Sequence, residues 1–266
     1  MSSATLRTRG IGPGAPHGPA GQTTPPPSAA APTGVAKPPS LRQLPFFAGV
    51  PDEVLVVLAP RARWQAYAQG EVVVDSGDPT SEVFFVAEGA VRVVVRTALG
   101  YEAILNDLGA GSFFGELAAI DGTARSANVT ALQRTRLCAV PGPAFMDVVL
   151  ASPAAGLRLM RFLAERLRAK DERLLEIMAL PVRQRLMAEL LRLSRDRGGG
   201  TGERVLSPPP QQDVLARRIG TRRETVSREM AEMARAGLLT VGRRAIVLRR
   251  PDALQAEIEG RLRGAG

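Results

Sequence analysis

The sequence predicts an α+β chain: a β sandwich or barrel, then one long helix, then two short helices closed by a hairpin. Three observations carry this reading. Between residues 68 and 140, runs such as VVV at 72–74, VFFV at 83–86 and VRVVV at 91–95 alternate with glycines at 70, 77, 89, 100, 109, 111, 115 and 122, which is the pattern of short strands joined by tight turns. From 153 to 179 the apolar period changes, and Met160, Leu163, Leu167, Leu174 and Ile177 trace a heptad seam with one position held by Lys170. Residues 211–219 and 222–236 are then two amphipathic runs split by Gly220 and Thr221.

In chain order, residues 1–40 hold nine prolines, six glycines and no aromatic residue. Such a stretch buries too little apolar surface to offset chain entropy, so a disordered tail is expected. Residues 41–152 form the β-rich unit and 153–180 the long helix. Pro181 ends that helix and suits the first turn of the next, which runs over 182–195 on Leu186, Leu190, Leu191 and Leu193. Glycines at 198–200 and prolines at 208–210 mark 197–210 as a loop. Gly237 is placed to stop the last of the paired helices. Residues 240–241 and 245–248 flank Gly242, Arg243 and Arg244 as a short hairpin. A second domain therefore spans 181–250, and 251–266 is a C-terminal extension.

Composition removes whole classes of chemistry. Among 266 residues there is one histidine, His17, and one cysteine, Cys138. That excludes an internal disulfide, a cysteine-rich zinc or iron–sulfur site within one chain, and a folded histidine-based active site. Nothing remains to activate water on a metal, so an enzyme is not expected, nor a metal cofactor. Cys138, in the apolar run LCAV, reads as a small buried hydrophobe. No apolar run reaches the roughly 18–20 residues of a spanning helix, and the N-terminus lacks a continuous apolar core of the signal-peptide kind. A cytoplasmic protein with no membrane partner is expected. Of the 35 basic residues 33 are arginine, and the net charge of +9 is uneven: +3 over 1–40, −2 over 41–182 and +8 over 183–266. A near-neutral domain followed by a basic one points to a polyanionic partner at the C-terminal end.

The segment 111–127, GSFFGELAAIDGTARSA, carries the most specific chemistry. A strand ends, Gly115 allows close backbone approach, and a short helix begins whose N–H groups favour an anion. Glu116 offers an acceptor to a ribose hydroxyl, Arg125 a cation to a phosphate, and Ser126 a further donor. Together these suit a cyclic phosphodiester. Phe114–Gly115–Glu116–Leu117–Ala118 followed by Arg125–Ser126–Ala127 closely resembles the phosphate-binding cassette of the CRP/FNR family of transcription regulators, in the form F-G-E-L-A then R-S-A of its cyclic-AMP-binding members. The resemblance extends over about residues 44–250. It implies an N-terminal cyclic-nucleotide-binding β-roll of jelly-roll type, a long dimerisation helix and a C-terminal winged helix-turn-helix. It also implies a cyclic nucleotide effector held by Gly115, Glu116, Leu117, Ala118, Arg125, Ser126 and Ala127.

On the long helix the sequence departs from its relatives. Where cyclic-AMP-binding members carry a Thr–Ser pair that reads adenine, Lys170 and Asp171 stand here. Lys170 is able to donate to guanine N7 or O6, and Asp171 to accept from guanine N1–H and N2–H₂ or from adenine N6–H₂. The pair is compatible with cyclic GMP as well as cyclic AMP, and both stay open. The heptad seam needs a partner surface. Two parallel copies would bury it in a homodimer, and packing on its own domain is the alternative; the resemblance implies the dimer.

Gln211 and Gln212 open the first helix of a helix-turn-helix and Gly220–Thr221 make its turn. Ala216, Ile219, Val226 and Met230 are spaced to pack the pair. Arg223, Glu224, Ser227 and Arg228 share the opposite face near the N-terminal end of the second helix, the end that enters the major groove in this motif. Arginine holds guanine O6/N7 and glutamate accepts from cytosine N4. Arg222, Thr225, Arg243 and Arg244 suit phosphates, which position the protein without specifying sequence. The run RRETVSR resembles the family's S-R-E-T-V-G-R recognition helix, with Arg222 where relatives carry a small residue. It implies a palindromic site with TGTGA-like halves in double-stranded DNA, with RNA polymerase as a further partner. Two alternatives stay in view: DNA binding that needs no effector, and a cyclic-nucleotide-binding regulatory module of an enzyme, against which the 211–237 segment argues.

Overall fold

In a computed structural model, residues 40–97 and 100–264 are described. The expected tail, apart from Ser40, lies outside the described residues, as do residues 98–99 and 265–266. Eight antiparallel strands make two four-stranded sheets: β1 (Arg63–Tyr67), β2 (Val72–Val74), β3 (Val83–Glu88), β4 (Ala90–Arg96), β5 (Glu102–Gly109), β6 (Phe113–Phe114), β7 (Asn128–Ala131) and β8 (Thr135–Val140). Their orders are β1-β8-β3-β6 and β2-β7-β4-β5. The VFFV run of β3 has no polar face because both of its faces are covered. Phe84 and Val86 join Val91, Val93, Leu108, Phe114 and Val129 between the sheets. Val83 and Phe85 turn to a second core with Phe46, Phe47, Phe113 and Phe145. Residues two apart in a strand share a face, so a continuous apolar run means two buried surfaces. Cys138 is buried in the second core, which pushes its thiol up to about 12.

Helices α1 (Asp52–Leu58), α2 (Glu116–Asp121), α3 (Gly142–Ala151) and α4 (Pro153–Ala179) complete the N-terminal part. Ser152 caps α4 by accepting from the Ala155 N–H at 3.4 Å, with Pro153 at the first helical position. The start of α4 buries Ala155 and Leu159 against the second core, with Phe162 and Leu163 half-buried on it. Farther along, Leu167, Leu174 and Ile177 are 61%, 56% and 52% exposed. The seam is therefore unused by its own chain beyond Leu163.

The C-terminal part holds α5 (Val182–Leu193), α6 (Gln212–Ile219), α7 (Arg223–Arg235) and α8 (Pro251–Arg263), with a sheet of β9 (Arg195–Asp196), β10 (Arg204–Leu206), β11 (Leu239–Val241) and β12 (Ile246–Leu248) in the order β11-β12-β10-β9. One expectation changes here. The stretch 197–210 is not loop throughout, because Arg204, Val205 and Leu206 pair with Leu248, Val247 and Ile246. Three residues among glycines and prolines are too short to show a period. The C-terminal extension is a helix whose Leu254 and Ile258 are buried in the core formed by α5, α6 and α7.

Candidate functional site

Gly115 sits between β6 and α2 with φ of +87°. A Cβ there would meet Arg125 Nη1 at 2.6 Å and the Glu82 carbonyl oxygen at 2.7 Å. Both the left-handed backbone and the crowding call for glycine. Gly115→Ala is expected to lower stability by about 1–2 kcal/mol from the backbone alone, and further as Arg125 is displaced. Urea denaturation checks this, and an unchanged midpoint would contradict it.

The cavity beside this turn is lined by all seven cassette residues, Gly115 to Ala118 and Arg125 to Ala127, together with Val74 and Val93 from the sheet and Arg166 from α4. Arg125 is 5% exposed. Its Nε donates to Thr80 Oγ1 at 3.1 Å, Nη1 to the Gly115 carbonyl at 3.2 Å and Nη2 to the Glu82 carbonyl at 2.8 Å. The Glu82 carboxylate lies 3.6 Å from Nη2. Burial draws the guanidinium below its ordinary value, opposed by Glu82, Asp78 and Glu116, and it stays charged. Those three bonds use three of the five guanidinium N–H groups and leave one on each Nη.

Glu116 is 1% exposed. Its Oε1 accepts from Arg166 Nη1 at 2.8 Å, while Oε2 is buried with no partner among the described residues. A buried carboxylate oxygen without a donor is costly, and a ligand hydroxyl would supply what it lacks. The site thus presents a fixed cation, an acceptor and apolar walls, a donor set that fits a cyclic nucleotide. Arg166 is the residue that sequence reasoning passed over. It lies one turn before Lys170 on α4 and 50 residues from Glu116, and no local motif marks it. Lys170 and Asp171 are exposed on α4 and do not line this cavity.

In the C-terminal part, Gly220 ends α6 at φ of +66°, and the Thr221 N–H bonds back to the Ala216 carbonyl at 3.0 Å. Leu215, Ala216 and Ile219 pack with Val226, Met230 and Met233. Gln211, Arg222, Arg223, Glu224, Ser227 and Arg228 are exposed, with Gln212 and Thr225 half-buried. Arg243 and Arg244 are exposed in the turn between β11 and β12. Among the described residues Arg222, Arg223, Arg243 and Arg244 make no ion pair, which leaves them available to phosphates and bases.

Residues 64–152 match the cyclic nucleotide-binding domain family, and residues 184–257 match the Crp-like helix-turn-helix domain family. The cyclic AMP receptor protein of Thermus thermophilus is 32% identical over 212 residues, covering 79% of this chain and 95% of the relative. The chain belongs to the CRP/FNR family of transcription regulators. A CRP-like cAMP-activated global transcriptional regulator of Mycobacterium tuberculosis is 24% identical over 76% of this chain and 91% of its own length. Among solved structures, FixK2 from Bradyrhizobium japonicum superposes with a TM-score of 0.62 at 22% identity, over 73% of this chain and 96% of that one. A CRP/FNR-family transcriptional regulator from Thermus thermophilus gives 0.57 at 28% identity, over 75% and 100%. The CRP/FNR fold accounts for the α+β order of two sheets, long helix and helix-turn-helix. No helix among the described residues is long and apolar enough to cross a membrane.

This CRP/FNR chain also carries an ionic cluster between its parts. Arg92 of β4 grips Asp107 of β5 with two bonds of 2.8 Å. Asp107 also accepts from Arg218 of α6. Arg218 reaches Glu189 of α5 at 3.3 Å, and Arg173 of α4 bonds Glu189 at 2.5 Å and the Arg218 carbonyl at 2.7 Å. Arg217 bonds Glu102 of β5 at 2.6 Å.

Proposed function

We propose that this regulator is a homodimer controlled by a cyclic nucleotide, cyclic AMP or cyclic GMP, and that it binds a palindromic DNA site with TGTGA-like halves. The observation that carries the reading is the pairing, in one cavity, of the unpartnered Glu116 Oε2 with the spare N–H groups of Arg125. The ribose 2′-hydroxyl donates to Glu116, and the cyclic phosphate lies against Arg125 and Ser126. Support for the dimer comes from the exposed seam of Leu167, Leu174 and Ile177, which a second copy in parallel would cover. Lys170 and Asp171 lie on that stretch of α4, where a nucleotide base approaching the dimer seam is within their reach. The recognition helix reads bases through Arg223, Glu224, Ser227 and Arg228. Gln211, Gln212, Arg222, Thr225, Arg243 and Arg244 hold the backbone. The seats of action are then the cytoplasm and a promoter shared with RNA polymerase. The domain limits are 41–152 for the nucleotide-binding part, 153–180 for the dimer helix and 181–263 for the DNA-binding part, because α8 is buried against α5, α6 and α7.

Calorimetric titration of the full chain with cyclic AMP and, separately, cyclic GMP tests the effector. Saturable binding of one nucleotide is expected, with tighter binding of a TGTGA-containing palindromic duplex in its presence. A cyclic GMP preference lost in Lys170→Thr/Asp171→Ser assigns base reading to that pair. Binding of neither nucleotide, with the duplex still bound, would overturn effector control and leave an effector-independent DNA-binding regulator.

A further inference from the structure

Two separate routes lead from the cavity to a single residue of the helix-turn-helix. The first runs through the sheet. Val93 lines the cavity, and its neighbour Arg92 points to the opposite face of β4. There Arg92 holds Asp107, which in turn accepts from Arg218 on α6. The second runs along α4. Arg166 holds the cavity's Glu116, and Arg173 stands seven residues later, two turns along the same face. Arg173 bonds both Glu189 and the backbone carbonyl of Arg218. The side chain of Arg218 is 7% exposed and that of Glu189 fully buried. The helix-turn-helix therefore meets the rest of the chain through a partly buried, charged contact, in which Asp107 is 30% and Arg173 26% exposed. Salt screens such a contact far less than a surface pair.

We propose that Arg218 is the positioning residue that couples the nucleotide cavity to the DNA-reading helix, by tying α6 to Asp107 on one side and to Glu189 and Arg173 on the other. The inference rests on the cyclic-nucleotide reading above. Its physical content is that the position of α6, and of α7 packed on it, is set by a contact whose two supports each begin at the cavity wall. A ligand that shifts either β4 or α4 changes the geometry offered to Arg218. Without that side chain, the ligand still binds, but the route through Asp107 is cut and only the Arg173 bonds to Glu189 and to the residue 218 carbonyl remain, so its differential effect on the two positions of the domain falls. Arg218 lies on the side of α6 held by carboxylates, apart from the residues assigned to DNA. Its replacement removes no proposed base or phosphate contact.

The test compares the native chain with Arg218→Met and, as a milder variant that keeps the shape of the contact, Asp107→Asn. Nucleotide affinity is measured by calorimetry. Affinity for the palindromic duplex is measured by fluorescence anisotropy with and without saturating nucleotide. Both variants are expected to bind nucleotide within about threefold of the native chain. Their nucleotide-dependent gain in DNA affinity is expected to fall by about tenfold or more, within the usual range of allosteric coupling. Arg218→Met combined with Asp107→Asn should lose little more than either alone, since both cut the same link. A native-sized gain in Asp107→Asn and in any folded Arg218→Met overturns the inference while leaving the nucleotide reading intact. If the native chain itself binds no nucleotide, that reading fails first and the coupling falls with it.

Discussion

Replacing Arg125 by glutamine is expected to weaken cyclic-nucleotide binding by about 100-fold or more. A phosphodiester carries a full negative charge, and charge-assisted bonds from a guanidinium contribute about 1.5–3 kcal/mol each. The buried setting amplifies the loss, because little water reaches the site to stand in for the cation. Arg125 comes ready for the task, since Thr80, Gly115 and Glu82 already fix its orientation. Little side-chain freedom is left to lose on binding. The substitution also cuts those three internal bonds, so the variant should melt at a lower temperature. Titration well below that melting point separates the two effects. A dissociation constant within threefold of the native value would show that the phosphate is held elsewhere.

The second large effect falls on folding. Glu189 is fully buried and accepts from Arg173 and Arg192 at 2.5 Å each and from Arg218 at 3.3 Å. Glu189→Ala leaves these guanidinium groups without their shared counter-charge. Breaking a buried ionic cluster on one side typically costs about 3–5 kcal/mol, and chemical denaturation should show a loss of that order. The native protein should also carry a pH signature. Burial alone would push the Glu189 carboxyl up, but Arg173, by charge and hydrogen bond, with Arg192 and Arg218, outweighs it and holds the group below the usual carboxylate range. A group lowered by folding contributes stability above its unfolded value, about 4.3. That contribution disappears as the pH drops through the lower folded value. As the pH falls below about 4.3 and through the lower folded value, the native chain should therefore lose stability more steeply than Glu189→Gln. Parallel acid limbs for the two proteins would contradict the assignment.

What the sequence made legible was what lies close together along the chain. The cassette occupies seventeen consecutive positions, 111–127, so its glycine, carboxylate and arginine can be read as one unit. The helix-turn-helix is equally local, with Gly220 marking the turn. The partners that complete each site come from far away. Thr80 and Glu82 orient Arg125 across more than 40 residues of chain, and Arg166 reaches Glu116 across 50. No period or spacing announces such pairs. Glu189 stands in an amphipathic run with nothing local to mark it as the buried hub of an arginine cluster. β10 and α1 escaped because three and seven residues are too few to establish a repeat. The heptad reading of α4 located the apolar stripe, while the exposure of Leu167, Leu174 and Ile177 depended on where the second core stops.

Because α4 is a single uninterrupted helix of 27 residues, it behaves as a stiff rod pivoted on the β-rich part near its start. The stretch from Arg166 to Arg173 is about 10 Å long at 1.5 Å per residue. A tilt of about 5° about Arg166 then swings Arg173 by nearly 1 Å, from the same rise per residue. That is more than the tolerance of a hydrogen bond. A displacement too small to notice at the Glu116–Arg166 contact thus arrives at Arg173 as a choice between keeping and dropping a partner. Lever length, set by how many residues separate those two arginines, becomes the quantity that fixes the gain of the device. Adding or removing one whole turn between them would change that gain while leaving both contacts on the same face.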